Sequence, residues 1–307
     1  MAIPEKIRKP LRPAVHAARR LWQRLSRLVN PWRGWSGEHH PIFERFPPWE
    51  GETDGRWMID SLGGRTDPAF RPTYRAQPAG ALQTKHPEPY APYFELAFVL
   101  EAVADVTAER PFVMVELGAG HGAWLVTALC AARRLGHPVA RLIGVEMVPH
   151  HLEWMRQHLA TNGADEGQLR LVAGAVGTKD GEVRYAPIED PSADFGQRLD
   201  PAGGATVRCY RLQTLLENEP AISLIHCDIQ GAELDAFSGA SQLLAERVHR
   251  ILISTHSRTI HRQLRRQLET IGFDVVCDFG VRGRARTPYG DVQFLDGLLC
   301  AVNRKGR

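Results

Sequence analysis

The chain has 307 residues, 43% of them hydrophobic and 24% charged, with a net charge of +3, which suits one large soluble α/β domain plus a smaller accessory region. Its five cysteines, Cys130, Cys209, Cys227, Cys277 and Cys300, are widely spaced with no CxxC pair, which argues against a disulfide framework and a structural zinc site and for a reducing compartment. No run approaches the ~18 apolar residues of a membrane span, and the N-terminus lacks the continuous apolar stretch of a secretory signal, so the expected location is cytoplasmic.

The charge is unevenly spread. Residues 1–33 hold nine Lys or Arg (Lys6, Arg8, Lys9, Arg12, Arg19, Arg20, Arg24, Arg27 and Arg33) against one acid, Glu5, so this arm carries +8 and the remainder −5. A nucleic-acid enzyme more often carries its positive charge on the catalytic body, and no nucleic-acid partner is expected. Residues 13–29 have the pattern of an amphipathic helix. Ala14, Ala18, Leu21, Trp22, Leu25, Leu28 and Val29 recur at helical spacing, while Arg19, Arg20, Arg24 and Arg27 fill the other face. Such a helix suits peripheral contact with an anionic membrane, here the inner membrane surface. Packing on the catalytic domain or a partner, or a mitochondrial-type presequence, are the alternatives.

Residues 31–92 are rich in Pro, Gly, Trp and charge, with short elements such as 57–62. A long irregular stretch of this kind is expected to drape over the active site. Helical periodicity returns at 93–106. The division predicted is 1–35 as a basic arm, 36–110 as an irregular and helical accessory region, and 111–307 as the catalytic domain.

That domain opens with residues 113–116, a buried strand ending on Glu116. Gly118, Gly120 and Gly122 follow, and a helix opens at Ala123 and stops at Gly136. A glycine turn between strand and helix lets a ligand approach main-chain atoms. An acid there would repel a pyrophosphate but would favour the ammonium and sulfonium of S-adenosylmethionine. The plainer alternative is a surface ion pair beside a glycine turn. Strand 141–145 runs into Glu146, placed to hold ribose hydroxyls. A helix at 150–161 and a third strand at 169–173 follow, then a strand–turn–strand excursion at 174–185, an insertion at 187–204 and an extended piece at 206–210. Residues 223–240 read as a strand tipped by Asp228, a turn at Gly231, and a helix with Glu233 in its first turn, where an acid complements the dipole. Strand 250–257 leads to His256, and an amphipathic helix spans 259–271. The last strands, 273–277 and 292–301, bracket an Arg-rich loop at Arg282, Arg284 and Arg286. Alternating strands and helices predict a parallel sheet with helices on both faces, and ligands in such sheets sit beyond the strands' carboxyl ends. Glu116, Glu146, Asp228 and His256 all fall there. The other histidines, including His150 and His151, are expected at the surface.

ELGAGHG, Glu146, GAVGTKDG, CDIQGAELDAFSGA, ISTHS, ETIGF and the late Asp296-Gly297 pair together resemble the motifs of FkbM-type S-adenosylmethionine-dependent methyltransferases, over roughly residues 111–303. PYFELAFVLEAV and DFGQRL resemble a bacterial branch of that family. The resemblance implies the class I methyltransferase fold, a Rossmann-like, seven-stranded, mostly parallel sheet whose last strand is antiparallel. It implies O-methylation, commonly of a sugar hydroxyl on a glycan, a glycolipid or a glycosylated natural product. It carries cofactor binding onto Glu116, Gly118, Ala119, Gly120, Glu146, Met147 and Asp228, with Ala175 and Val176 near the adenine. Two positions depart from the common pattern: Glu116 where many members have Asp, and His226 where many have Lys.

Methyl transfer to an alcohol needs in-line positioning and removal of a proton. His256 and Asp228 are the candidate bases, with His256 favoured because an unperturbed imidazole titrates near working pH. A helix N-cap for Asp228 and a strand-end polar residue for His256 are the plainer readings. A divalent metal bridged by Asp228, His256 and a further carboxylate would solve the same problem, and spacing does not decide between the two. Two other classes compete. Gly118, Gly120 and Ala123 can be fitted to the fingerprint of an NAD-dependent sugar-nucleotide enzyme, although Glu116 opposes it and no Tyr-x-x-x-Lys pair is present. A non-catalytic scaffold of the same fold, tethered by its basic arm, is the other. Oligomeric state is not legible.

Overall fold

Six consecutive buried residues, Phe112–Leu117, form an interior strand of a seven-stranded sheet. The computed structural model describes residues 32–33, 37–88, 91–107 and 110–306; the candidate helix at 13–29 lies outside them. The sheet strands in chain order are β1 (Phe112–Leu117), β2 (Val139–Glu146), β3 (Leu169–Ala173), β4 (Ile222–Cys227), β5 (Val248–Thr255), β6 (Phe273–Phe279) and β7 (Gly297–Asn303). Their spatial order is β3-β2-β1-β4-β5-β7-β6. β7 runs antiparallel to both its neighbours, and the pairings from β3 through β5 are parallel. This is the class I methyltransferase arrangement that the resemblance implies.

The central strands are apolar on both faces because helices cover both. Side chains alternate between the faces, so Phe112, Met114, Leu142 and Leu224 join one core while Val113, Val115, Leu117, Ile143 and Ile225 join the other. On the first face lie α1 (Ala91–Ala104), α2 (Ala123–Leu135) and α3 (Pro149–Thr161). The short α4 (Leu212–Leu215), α5 (Glu233–Phe237) and α6 (Ser241–Arg247), with α7 (Arg258–Thr270), cover the second. Gly136 closes α2 in the left-handed region at φ 67°, as its position predicts. Ser257 caps α7 by accepting from Ile260 N at 3.1 Å. All five cysteines are free.

Two expectations near the C-terminus are corrected. Residues 292–301 are not one strand: Gly290–Gln293 pairs with Arg284–Thr287 in a separate hairpin, and the sheet strand starts at Gly297. Phe294 stacks on Phe279 at 4.4 Å, and its N–H still donates to Gly283 O at 2.9 Å, so the hairpin's pairing runs past Gln293 before the chain joins the sheet. The Arg-rich segment is therefore a strand whose Arg284 and Arg286 face solvent, not a loop. Trp32–Arg33 adds a third strand to this hairpin.

The accessory region contains short ladders, Glu50–Thr53 with Gly80–Gln83 and Met58–Ile59 with Arg65–Thr66. It is stitched to α3. Asn162 accepts from Arg65 N and donates to Arg65 O, each at 2.8 Å. His158 Nε2 lies 3.0 Å from the Thr66 hydroxyl, and its Nδ1 lies 2.9 Å from His121 O. Because a carbonyl can only accept, Nδ1 carries the proton and Nε2 accepts from Thr66.

Beyond the ends of β1 and β4 the chain order reverses, the usual place for a ligand in an open α/β sheet. There the Gly118 amide donates to Val145 O at 2.9 Å and Asp228 N donates to Leu117 O at 2.9 Å. Gly118 has φ +73°, and a Cβ on it would meet the Asp228 carbonyl oxygen at 2.1 Å. Gly118→Ala is expected to cost at least about 2 kcal/mol, from left-handed strain plus collision with main chain, read as a lowered urea midpoint.

His158 supplies a second test. Burial, only partly offset by its hydrogen bonds, lowers its imidazole to about 4. Below pH 6.5 the unfolded chain takes up a proton that the folded one refuses. Stability should therefore fall from that pH down to about 4, by about 1.4 kcal/mol per pH unit for this group. His121 and His226 are lowered as well and act in the same direction. Urea unfolding across that range should show the decline, and His158→Gln should make it shallower.

Candidate active site

A cleft of about 930 Å³, counting its open mouth, lies at this reversal point and is lined by Glu116, Gly118, Ala119, Gly120, Glu146, Met147, Ala175, Val176 and Asp228. Every residue that the resemblance assigns to the cofactor therefore shares one cavity. The parity of β1 explains Glu116. It points to the α2 face with Phe112 and Met114, where its carboxyl accepts from Leu125 N at 3.1 Å and so occupies the helix's first turn. Burial drives its pKa well above the usual carboxylate range, with the charges of Asp228 and Glu146 pushing the same way. Glu146 accepts from Gly120 N and Val148 N, both at 2.8 Å, which ties the glycine turn to the end of β2. Burial raises its pKa too.

His226 sits opposite Glu116 in the β1–β4 register. It is 2% exposed and neither ring nitrogen has a hydrogen-bond partner among the described residues. Burial holds its imidazole down at about 3, so it is neutral despite Glu116 Oε1 at 3.8 Å from Nδ1. Its ring lies 5.7 Å from Trp124, which also lines the cleft.

Asp228 lines the cleft and His256 stands behind it, outside the lining, with His256 Nε2 3.3 Å from Asp228 Oδ1. Asp228 caps no helix: α5 starts five residues later, and its nearest side-chain partner is Gln230, whose Nε2 donates at 2.8 Å. Gln230 is held at φ 56°, in the left-handed region that a non-glycine residue rarely enters. His256 is oriented from behind. Its Nδ1 donates to Glu233 Oε1 at 2.6 Å, and the same oxygen accepts from Gly231 N at 2.7 Å. The Glu233 side chain is fully buried and that of His256 is 5% exposed. The sequence reading missed this partnership, since it gave Glu233 only a helix-dipole role. A usable signal was present, because an acid beside an apolar run and a strand-end histidine need one another once buried.

Burial pulls the His256 imidazole down, but the Glu233 hydrogen bond and the charges of Asp228, Glu233 and Asp296 outweigh it and leave its pKa raised. Burial lifts Asp228 to about 6, helped by Asp296 and Glu233 and opposed by His256. Asp296 Oδ1 stands 3.9 Å from His256 Nε2. On α1, burial and the charges of Asp228 and Asp296 push Glu95 up to about 8, so near neutral pH it is a proton donor among acceptors. Among the described residues no group of three or more His, Cys, Asp or Glu is placed to hold a metal ion.

The surface assignment of the remaining histidines holds for His150, which is exposed, and is corrected for several others. His151 is 2% exposed because Phe195, from the insertion after β3, stacks on it at 4.2 Å and 6°, and both line the cleft. His121, His158 and His261 are buried as well. The accessory region reaches the same cavity through Arg71.

The Methyltransferase FkbM domain matches residues 116–275. A protein of Jannaschia sp. (strain CCS1) that carries the provisional name of methyltransferase is 32% identical over 184 residues, which is 56% of this chain and 65% of that protein. Two solved structures are also similar. The FkbM methyltransferase of Methylobacillus flagellatus KT gives a TM-score of 0.43 at 16% identity, over 62% of this chain and 43% of that one. The precorrin-6y C5,15-methyltransferase of Geobacter metallireducens GS-15 gives 0.38 at 15% identity, over 67% of this chain and 86% of that one. The chain thus spans less than two thirds of the length of the Jannaschia and Methylobacillus proteins. With the family's domain matched across half of its length, on the sheet and cleft described above, the chain belongs to the FkbM methyltransferase family.

Proposed function

We propose that the protein transfers a methyl group from S-adenosylmethionine to a hydroxyl, that of a sugar in a glycan, a glycolipid or a glycosylated natural product, with His256 taking the hydroxyl proton. The observation that carries the reading is the Glu233–His256 hydrogen bond at the edge of the glycine-floored cleft. It uses up Nδ1 and leaves Nε2 facing Asp228, which lines the cleft.

The residues present fit the donor. Gly118 leaves room where a Cβ would strike the Asp228 carbonyl, and a Cβ on Gly120 would press the Phe195 ring at 3.1 Å. Glu116 and Asp228 suit its cationic groups, a cation in turn favouring their charged forms, and Glu146 suits its ribose hydroxyls. Ala175 and Val176 offer an apolar wall for the adenine. When bound, the donor supplies an electrophilic methyl group on a sulfonium. The protein's part is to orient the acceptor, exclude water and hold the proton. A raised imidazole pKa makes His256 a stronger base than a free histidine, and Glu233 stabilises the imidazolium as a buried acid does in a catalytic triad. Gln230, Asp228, Asp296 and Glu95 surround that base with hydrogen-bonding groups, a lining suited to a polyhydroxylated acceptor. The basic stretch at 13–29 fits an acceptor met at an anionic membrane surface.

Calorimetry of the purified protein should show binding of S-adenosylmethionine and none of NAD; the reverse would sink the proposal in favour of the dinucleotide enzyme. Transfer of labelled methyl into whole-cell glycan and lipid fractions should follow, and its absence would favour the scaffold. His256→Ala is expected to lower turnover about 10²- to 10⁴-fold with cofactor affinity nearly unchanged. The base must be neutral to act, so turnover should rise with pH through a limb centred above 6.5. Glu233→Gln keeps an acceptor for Nδ1 but removes the charge that raises the imidazole pKa and weakens the hydrogen bond, so the limb should move to lower pH as turnover falls. A limb that stays put would show that His256 is not the titrating base.

A further inference from the structure

We infer that Arg71, carried on the accessory region, holds the carboxylate at the amino-acid end of the bound methyl donor. The inference rests on the donor reading above and adds a residue that lies outside both the family's matched span and the motifs that signalled the cofactor site. S-adenosylmethionine is a zwitterion: besides its sulfonium and ammonium it carries a carboxylate. Glu116, Glu146 and Asp228 line the cleft and suit the cationic and hydroxyl groups, but each would repel that anion. Among the described residues lining the cleft, Arg71 is the only Lys or Arg.

Its placement is built rather than incidental. Arg71 follows a turn of 3₁₀ helix, Pro68–Phe70, capped by Asp67, whose Oδ1 accepts from Ala69 N at 2.8 Å. Phe70, 3% exposed, anchors that turn among His121, Trp154 and His158 at ring distances of 5.2, 5.1 and 5.5 Å. The guanidinium lies 3.9 Å above the Phe195 ring, which stacks in turn on His151. Stacking consumes the face of the guanidinium and leaves its in-plane N–H donors to a planar anion, the geometry that favours Arg over Lys for a carboxylate. Tyr74 bonds to the same group. Arg71 makes no ion pair among the described residues, and its buried Nε has no hydrogen-bond partner there. A buried donor without a partner is costly, and a bound carboxylate would satisfy it.

The test separates the two ends of the ligand. S-adenosylhomocysteine keeps the amino acid; 5′-methylthioadenosine lacks it and keeps the nucleoside. Calorimetry on the full chain should find that Arg71→Ala weakens S-adenosylhomocysteine about 10- to 100-fold, the loss expected for one charge-assisted contact. 5′-Methylthioadenosine should bind wild type and variant alike, which also reports that the variant is folded. Arg71→Lys should recover part of the loss. Equal weakening of both ligands would overturn the assignment in favour of a structural role, and unchanged binding of both would overturn it outright. A wild-type protein that bound neither ligand would overturn the donor reading itself, a result the Arg71 variants cannot produce.

Discussion

No side chain can stand between the loops that leave β1 and β4. The Gly118 backbone runs so close to the Asp228 carbonyl that even a methyl group would overlap it. That contact is possible only for a glycine, and only in a left-handed conformation. It makes the floor of the cleft continuous with the loop that carries Asp228, Gln230 and Gly231. Asp228 is thereby registered to the glycine turn by main chain. The hydrogen bonds from Gly118 and Ala119 to Val145 O and from Gly120 to Glu146 extend the same registration to β2.

On that floor the cleft collects carboxyl groups, an arrangement that repels itself until something cationic enters. Glu116 and Glu146 are raised by burial and Asp228 is lifted to about 6. His256 is the internal counterweight at one end and Arg71 the one at the other. Asp228 faces His256 at 3.3 Å, while Glu233 grips the imidazole from the fully buried side. Two acids on opposite nitrogens of one ring fix both its orientation and its charge preference, so the ring's chemistry is set by α5 and by the loop before it.

Much of this was legible in the sequence, and the pattern of success follows physical range. Buried strands ending on Glu116, Glu146, Asp228 and His256 could be read because apolar runs, glycine turns and strand-tip polar residues are local signals. The Gly136 cap and the 174–185 excursion were legible for the same reason. What escaped was pairwise and distant. Glu233 and His256 are 23 residues apart, and only the folded sheet shows that one serves the other. His151 looked like the start of a surface helix because Phe195, which buries it, arrives from an insertion without periodicity. The division of 292–301 also depended on partners, since its two halves pair with different strands. Arg71 carried no signal at all within its own neighbourhood.

His158 shows what such long-range contacts entail. One imidazole accepts from Thr66 in the accessory region and donates to the carbonyl of His121 inside the glycine turn. The cover is thus fastened through the very loop that it shelters. Without Thr66 the buried Nε2 would lose its donor, while the bond to the His121 carbonyl, made from α3, would stay, so the ring joins three segments of chain at the cost of depending on each.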